Sequence, residues 1–345
     1  MQSIGATFIA GQLPLAQHVS RLTPQSVPYI ELCCPACSAS LPAISYHSLA
    51  HCHEPLECLR CRFVVAQRGG IWLTLPIDRL SYYARFVDEY ATVRKAEGRG
   101  SDSPNFYLSL PYCDLSRRNS WQWTIRACTY KYIEQTILPS LTGASADRLS
   151  ALDLGAGNGW LCYRLAALGH RPIAVDLQTD AYDGLGASLH YQSALPGLFP
   201  RFQAELDRLP FADDQFDCAI FNASFHYSEN YDHTLAEAIR CLRPGGTILI
   251  ADTPSYAREE SGLRMAEERR NDFQKRFGFE SNALASREYL STERLLALET
   301  RHNLEFAAHH VWYGVRWACR PLIAKLRRRR EPSQFRIYSA QVKTQ

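Results

Sequence analysis

The sequence predicts an α/β fold in which helices cover both faces of a parallel sheet, preceded by a small metal-held module and a helical linker. Three observations support this prediction. Strand-like apolar segments alternate with helix-like segments between Ser150 and Ala251. Glycines occur at alternate positions in the turn that follows the first of these strands. Upstream, two Cys-x2-Cys pairs are separated by 20 residues, a spacing typical of zinc sites.

The length and composition are those of an intracellular protein with two domains. The chain has 345 residues, of which 46% are hydrophobic. We expect a zinc-binding module over 29–76, a helical cap or linker over 77–145 and the α/β domain over 146–345. No apolar run approaches the roughly 20 residues that a membrane span needs, and no signal peptide is apparent. Twelve cysteines in so large a chain indicate a reducing, cytoplasmic environment.

The N-terminal cysteines form two knuckles, and each knuckle is a tight turn that can direct two thiolates at one metal ion. We predict that Cys34, Cys37, Cys58 and Cys61 bind a structural zinc ion, because four thiolates close a tetrahedral site. A module this small cannot form an adequate core, so the metal would supply the missing stability. Four nearby side chains remain as alternative ligands: Cys33, Cys52, His51 and His53.

The linker is predicted to contain two helices. The first covers Leu80 to Glu97, and the second runs from about Ser120 to Ile137. In the second helix an apolar stripe is formed by Trp121, Ile125, Cys128 and Tyr132. Two interpretations stay open: this stripe packs on the sheet, or the aromatic residues in the second part of the linker, from Phe106 to Tyr132, cover a cofactor and line an acceptor pocket.

The glycine turn after the first strand indicates a site where a ligand comes close to the backbone. Asp153 ends the strand, and Gly155, Gly157 and Gly159 follow at alternate positions. No Lys-Ser/Thr pair follows the glycines, which excludes a phosphate-binding loop. The last two glycines are also closer together than in the dinucleotide fingerprint. An acid at the strand end suits a ligand that carries an ammonium or sulfonium charge.

Three later segments follow the glycine turn in a fixed order. A second strand ends at Asp176, 23 positions after Asp153, where a carboxylate can accept hydrogen bonds from a ribose diol. A further strand ends at Asn222, and an Arg-Pro-Gly-Gly turn at Arg243–Gly246 precedes the strand Thr247 to Ala251. Together with the segment that begins at Glu205, these motifs resemble those of class I S-adenosylmethionine-dependent methyltransferases, in particular the broad type 11 group.

This resemblance implies a Rossmann-like sheet of seven strands and a binding site for S-adenosylmethionine. It implies that Asp153 lies near the methionine end of the cofactor and that Glu205 contacts the adenine amino group. The expected cofactor-binding residues are Asp153, Gly155, Gly157, Gly159, Asp176, Glu205, Leu206 and Asn222.

The candidates for acid–base chemistry follow the fourth strand of the domain, at the sheet edge where α/β proteins bind ligands. His226 can change protonation near neutral pH and is the first choice for a base or an acceptor-orienting group, followed by Tyr227. The alternative is that His226 only forms a hydrogen bond within its loop or covers the cofactor.

The C-terminal part of the chain is strongly basic. Residues 311–345 contain nine Lys/Arg and one acid, so this segment carries +8 while the remainder carries −5. Tryptophans and leucines are interleaved with the arginines, a mixture that suits an anionic membrane surface or a phosphate backbone through 311–330. The alternative is a solvated helix end joining two late strands, of which Phe335 to Ala340 would pair antiparallel.

We therefore expect methyl transfer from S-adenosylmethionine to a small or amphipathic acceptor, such as an aromatic ring, a quinone or a lipid-like molecule. The order of a four-cysteine module before a methyltransferase fold also resembles ribosomal-RNA guanine methyltransferases, and rRNA is the alternative acceptor. The acidic body disfavours nucleic acid, and we expect no DNA partner. A non-catalytic scaffold is the second alternative, disfavoured by the intact glycine turn. The module is similar as well to stand-alone zinc proteins that activate methyltransferases.

Overall fold

The computed structural model describes residues 28–52, 54–142 and 148–343 of the chain. His53, one of the alternative metal ligands, lies outside these described residues. Within them the strands are β1 (Tyr29–Ile30), β2 (Ile44–Ser45), β3 (Leu56–Glu57), β4 (Val64–Arg68), β5 (Ile71–Leu73), β6 (Ser150–Leu154), β7 (Arg171–Asp176), β8 (Arg201–Gln203), β9 (Phe216–Asn222), β10 (Leu242–Ala251), β11 (Ser255–Tyr256), β12 (Leu290–Ser291), β13 (Ala307–His309) and β14 (Ile337–Gln341).

The α-helices of the described residues are α1 (Tyr46–Leu49), α2 (Ile77–Ala96), α3 (Pro104–Ser109), α4 (Ser120–Tyr132), α5 (Leu138–Thr142), α6 (Trp160–Ala167), α7 (Tyr231–Cys241), α8 (Glu259–Phe277), α9 (Thr292–His302), α10 (Val315–Ala318) and α11 (Arg320–Leu326). A π-helical turn over Ile133–Ile137 joins α4 to α5, and 3₁₀ turns cover Leu185–Ala194 and Phe225–Tyr227. None of the described helices combines the length and the apolar content that a membrane span requires.

The central feature is a ten-stranded sheet with the order β13-β14-β10-β9-β6-β7-β8-β5-β4-β3. Strands β6 to β10 run parallel, and β14 pairs antiparallel with both β10 and β13. The seven strands from β13 to β8 form the predicted methyltransferase-type sheet. Every residue of β6 is buried, as expected for a central strand with helices on both of its faces.

The cysteine module extends this sheet by three strands. Strand β5 pairs parallel with β8, and β4 and β3 follow antiparallel. Apolar side chains of the cysteine module, among them Leu32, Leu49 and Trp72, belong to the same buried cluster as Leu152 and Phe202 of the α/β domain. The module at 29–76 and the α/β domain therefore share one hydrophobic core on this face of the sheet.

The opposite face of the sheet is covered by the linker helices. Trp123 and Tyr130 of α4 pack edge-on against Trp160 of α6, with ring centroids 6.0 and 5.8 Å apart. The prediction that Trp121 belongs to the apolar stripe of this helix is wrong, since Trp121 is exposed. Helix α4 turns Trp123 and Tyr130 toward the sheet instead. Packing against α6 thus decides the orientation of α4, and helical periodicity alone did not reveal it.

Candidate cofactor and acceptor site

The carboxyl ends of the parallel strands open into a cavity of about 730 Å³, here called the first cavity. Its floor is the turn after β6, and its walls are the segments that follow β7, β8 and β9. Helix α2 lies across it. This is the edge at which open α/β sheets bind ligands.

The glycine turn forms the floor of the first cavity in the way the sequence predicts. Gly155, Gly157 and Gly159 all have positive φ values of 80°, 55° and 76°. A Cβ on Gly155 would overlap the side chain of Ser224, whereas a Cβ on Gly157 would meet only the Asp183 carbonyl oxygen, at 3.5 Å. The space above Gly157 therefore belongs to the cavity, as expected of a turn that admits a ligand to the backbone.

Asp176 lies beside the glycine turn at the end of β7. Its carboxylate oxygens accept hydrogen bonds from the backbone N–H of Gly157 (2.7 Å) and of Gln178 (2.8 Å). Burial raises the pKa of this carboxyl to about 6. Each oxygen keeps a lone pair after these bonds, so Asp176 can still accept hydrogen bonds from a ligand in the first cavity.

The predicted cofactor residues divide into two groups in the structure. Gly155, Gly157, Asp176, Leu206 and Asn222 line the first cavity. The other three do not line it: Asp153, Gly159 and Glu205.

Asp153 is buried beneath the turn, where it accepts a hydrogen bond from the Cys162 thiol and where burial raises its pKa to about 7. The carboxylate of Glu205 is held by Arg79 at 2.6 Å and by the Tyr83 hydroxyl at 2.9 Å. Glu205 therefore ties α2 to the end of β8, and it is Leu206, the next residue, that faces the first cavity.

Helix α2 also contributes to this cavity, which was not predicted from the sequence. Phe86, Tyr90 and Arg94 recur every four residues, which places them on one face of the helix, and all three line the first cavity. Arg94 forms an ion pair with Asp183, which also accepts a hydrogen bond from Asn158 of the glycine turn. The four-residue spacing was visible in the sequence, but nothing local indicated which element this face would cover.

A second cavity of about 1060 Å³ adjoins the first. It is lined by α2, α4, the loop after β9, and residues from α8 and the C-terminal segment. His226 and Tyr227 both lie on its wall, and Tyr227 lines the first cavity as well. The structure thus places Tyr227 at the junction of the two cavities and His226 on the wall of the second.

His226 is a neutral side chain in this environment. Burial, reinforced by Arg269 and Arg126, lowers its pKa to about 3. Its Nδ1 atom has no hydrogen-bond partner among the described residues. An imidazole in this state can accept a proton or a hydrogen bond from a ligand, but it is a weak base.

The four cysteines of the two knuckles converge on one point. Their Sγ atoms lie within 4.8 Å of one another, with 3.5 Å between Cys34 and Cys61 and 3.6 Å between Cys37 and Cys58. Four sulfurs around a tetrahedral zinc ion at about 2.3 Å would be roughly 3.8 Å apart, so the arrangement fits this metal. The Cys33 thiol points instead to the Phe211 carbonyl oxygen, 3.2 Å away.

Comparison with known proteins agrees with this architecture. Residues 152–250, which run from β6 to the end of β10, match the family described as a methyltransferase domain. This segment is a methyltransferase domain. The resemblance inferred from the glycine turn and the three later motifs is confirmed for this part of the chain.

Curated relatives match over part of the chain. An arsenite methyltransferase of Aquipseudomonas alcaligenes is 32% identical over 137 residues, which are 37% of this chain and 38% of that protein. A malonyl-[acyl-carrier protein] O-methyltransferase of Erwinia pyrifoliae is 31% identical over 103 residues, 30% of this chain and 37% of the relative. The matched part of the chain thus spans well under half the length of these two relatives.

Among solved structures, an arsenic(III) S-adenosylmethionine methyltransferase from Chlamydomonas reinhardtii overlays with a TM-score of 0.41 at 21% identity, covering 59% of this chain and 65% of that one. An S-adenosylmethionine-dependent methyltransferase from Mesorhizobium loti overlays with a TM-score of 0.41 at 19% identity, covering 59% of this chain and 96% of that one.

Proposed function

We propose that this chain transfers a methyl group from S-adenosylmethionine to a small or amphipathic organic acceptor. The observation that carries the proposal is the floor of the first cavity, where Gly157 leaves space for a ligand and Asp176 is fixed beside it by two backbone hydrogen bonds. The match of residues 152–250 to a methyltransferase domain supports the same conclusion.

The residues of the first cavity fit the parts of this cofactor. Asp176 would accept hydrogen bonds from the ribose hydroxyls, and Leu206 and Phe86 would pack on the adenine. When bound, S-adenosylmethionine supplies an electrophilic methyl group, so the protein has mainly to align the acceptor. Tyr227 and Tyr90 stand between the two cavities, with ring centroids 5.7 Å apart, and would limit how the acceptor approaches. His226 would orient the acceptor through its unpartnered Nδ1.

The second cavity supports an organic acceptor. Charged groups line this cavity together with four aromatic side chains: Tyr90, Tyr227, Phe273 and Phe335. Aromatic walls with a few polar groups are typical of small-molecule sites. Among the lining residues there is no cysteine to bind arsenite, so we do not extend the activity of the arsenite methyltransferase to this chain.

The experiment that tests the acceptor class uses S-adenosylmethionine labelled in its methyl group. The protein is incubated with a metabolite and lipid extract or with total RNA from the organism that encodes it. We expect label in the metabolite or lipid fraction that depends on the protein. Label confined to RNA would replace this proposal with the rRNA alternative.

The pH dependence of cofactor binding follows from Asp176. Its pKa is raised to about 6, so the carboxylate is ionised above this pH and protonated below it. Since ribose hydroxyls bind the ionised form better, the affinity for S-adenosylhomocysteine is expected to be constant at higher pH and to fall as the pH drops through about 6.

Calorimetric titration at several pH values measures this effect. Replacement of Asp176 by Ala is expected to weaken binding roughly tenfold or more at neutral pH and to remove the acid-side decline. An unchanged affinity in this variant would exclude Asp176 from the cofactor site.

We further propose that the zinc ion is bound by Cys34, Cys37, Cys58 and Cys61 and that its role is structural. All four ligands are thiolates, which leaves no open position for a substrate. The sulfur distances support this assignment.

For the basic C-terminal segment we propose contact with an anionic membrane surface. Trp312, Leu322 and Leu326 are exposed, and arginines 327–330 of the same segment line a groove together with Ile323. The segment adjoins the second cavity, because Trp317 packs on Phe335, which lines that cavity. A surface with apolar and cationic groups side by side suits the boundary of an anionic bilayer, from which an amphipathic acceptor could enter.

Vesicle co-sedimentation tests this surface. We expect binding to phosphatidylglycerol vesicles, weaker binding at high salt and little binding to phosphatidylcholine. Leu322→Ser combined with Leu326→Ser is expected to reduce binding by roughly tenfold or more, because two apolar side chains no longer enter the bilayer.

The control for the vesicle experiment is Leu296→Ser, since Leu296 on α9 is 57% exposed and Leu322 is 60% exposed. Equal losses in the two proteins would contradict the membrane proposal. So would salt-sensitive binding to RNA in the absence of vesicle binding.

A further inference from the structure

The boundary between the two cavities contains an arginine that forms no ion pair with any of the residues the structure describes. Five residues line both cavities: Tyr90, Arg94, Arg126, Ala223 and Tyr227. If the first cavity holds the methyl donor, as proposed above, the acceptor must reach this boundary to react. The charged groups here therefore bear on which acceptor fits.

Four arginines line the second cavity, and three of them are paired with carboxylates. These pairs are Arg94 with Asp183, Arg99 with Glu97 at 2.9 Å, and Arg269 with Glu288 at 3.0 Å. The fourth, Arg126 of α4, forms no ion pair among the described residues. Its guanidinium lies over the ring of Trp123, 4.8 Å from the centroid. Arg126 is thus held in position by an aromatic ring and not by an acid.

The surroundings of Arg126 disfavour an isolated positive charge. Burial lowers its pKa, the nearby Arg94 and Arg99 lower it further, and Asp252 on the wall of the same cavity opposes them. Asp252 is beyond ion-pair distance and accepts a hydrogen bond from Thr129 at 2.6 Å. Arg126 is half-buried, so an anion bound at the cavity boundary would supply a counter-charge at contact distance.

Polar atoms left without partners are concentrated around the same cavity. Four residues on its wall contain a buried nitrogen or oxygen that forms no hydrogen bond within the described part of the chain: Arg99, His226, Asp252 and Arg269. Three of these are nitrogen atoms. Two of the nitrogens, Arg99 Nη1 and Arg269 Nε, belong to guanidinium groups, which are donors only and suit an anionic ligand.

We propose that Arg126 binds a carboxylate of the acceptor, so that the acceptor is an organic anion with an aromatic or apolar body. The planar guanidinium can donate two parallel hydrogen bonds to a carboxylate, which fixes the orientation of the acceptor as well as its affinity. The aromatic side chains Phe273 and Phe335 then contact its apolar part. This inference rests on the proposed function and narrows its substrate class.

The test uses 4-fluorobenzoate as a probe and fluorine NMR on protein saturated with S-adenosylhomocysteine. We expect wild-type protein to bind 4-fluorobenzoate and to prefer it to the neutral analogue 4-fluorobenzyl alcohol. Arg126→Met is expected to lose about tenfold or more in affinity for the carboxylate and little for the alcohol. Arg126→Lys should retain part of the preference. Binding that is indifferent to Arg126 or to the probe's charge, or no binding at all, overturns the proposal.

A cofactor contact is the main competing role for Arg126, since S-adenosylhomocysteine also carries a carboxylate. Binding of S-adenosylhomocysteine is therefore compared with that of 5′-methylthioadenosine, which lacks it. We expect Arg126→Met to leave both affinities unchanged. A loss for S-adenosylhomocysteine alone would assign Arg126 to the cofactor and overturn the proposal. The failure of the two proposals can be told apart. If wild-type protein does not bind S-adenosylhomocysteine, the proposed function fails. Loss of 4-fluorobenzoate binding in Arg126→Met would even then support an anion site.

Stability measurements separate a binding role from a structural one. Because Arg126 is an unpaired cation, Arg126→Met is expected to leave the Tm unchanged or to raise it. Arg94→Met is the matched control on the same wall, and it should lower the Tm because it leaves Asp183 without its partner. A fall in Tm in both variants, together with unchanged 4-fluorobenzoate binding, would make Arg126 a structural residue.

Discussion

Gly157→Leu is expected to reduce the binding of S-adenosylhomocysteine below detection by calorimetry. A side chain at this position would occupy the first cavity, since a Cβ meets no protein atom closer than the Asp183 carbonyl oxygen at 3.5 Å. It would also stand beside the Asp176 carboxylate, which accepts the Gly157 N–H. The loss should therefore come from the occupied cavity and not from unfolding.

The matched control is Gly169→Leu. Gly169 follows α6 with φ of 88°, and a Cβ there meets no atom within 4 Å. Both variants carry the strain of a side chain at positive φ, about 1–2 kcal/mol, but only Gly157 borders the first cavity. We expect similar small decreases in Tm and a loss of binding in Gly157→Leu alone. Equal binding by the two variants would mean that the cofactor lies elsewhere.

Removal of the metal is expected to destabilise the methyltransferase domain as well as the cysteine module. Strand β5 of the module pairs with β8, and Trp72 on β5 is fully buried, stacks on Phe202 and donates to the Leu49 carbonyl oxygen at 2.8 Å. Loss of the module's structure would therefore expose one edge of the sheet and open the core shared by the two parts.

Calorimetric melting with and without a chelator measures this coupling. Structural zinc contributes many kcal/mol in small modules, so even partial loss should lower the Tm by about 10 °C or more. Cys61→Ser should have the same effect, because it removes one of the four predicted metal ligands. Cys61 is exposed, so the substitution disturbs no packing. Cys113→Ser, at another exposed cysteine, should melt like the wild type. A chelator-insensitive melt of protein that contains zinc would contradict the coupling.

The parts of the site that were predictable from the sequence are those fixed by neighbouring residues. The glycine turn, Asp176 and the Cys-x2-Cys knuckles each depend on a few consecutive positions, where backbone conformation and residue type are tied together. The parallel sheet of the domain could also be predicted, because strand-like segments that alternate with helix-like segments are compatible with few topologies.

The parts that could not be predicted depend on contacts between distant segments. The Glu205 carboxylate is bound by Arg79, 126 positions earlier, and no local pattern in the sequence indicates this ion pair. The pairing of β5 with β8 rests on three residues in each strand, too few to show in a periodicity. Arg126 stands out only once the ion pairs of its neighbours are known.

Binding of S-adenosylhomocysteine to the wild-type protein, measured by isothermal titration calorimetry, tests the central claim most directly. The geometry of Gly157 and Asp176 predicts saturable binding of one ligand per chain, which weakens when Asp176 is replaced by Ala. Zinc-loaded, folded protein that gives no binding heat at any temperature tried would contradict the claim, and the methyltransferase domain would then be a scaffold.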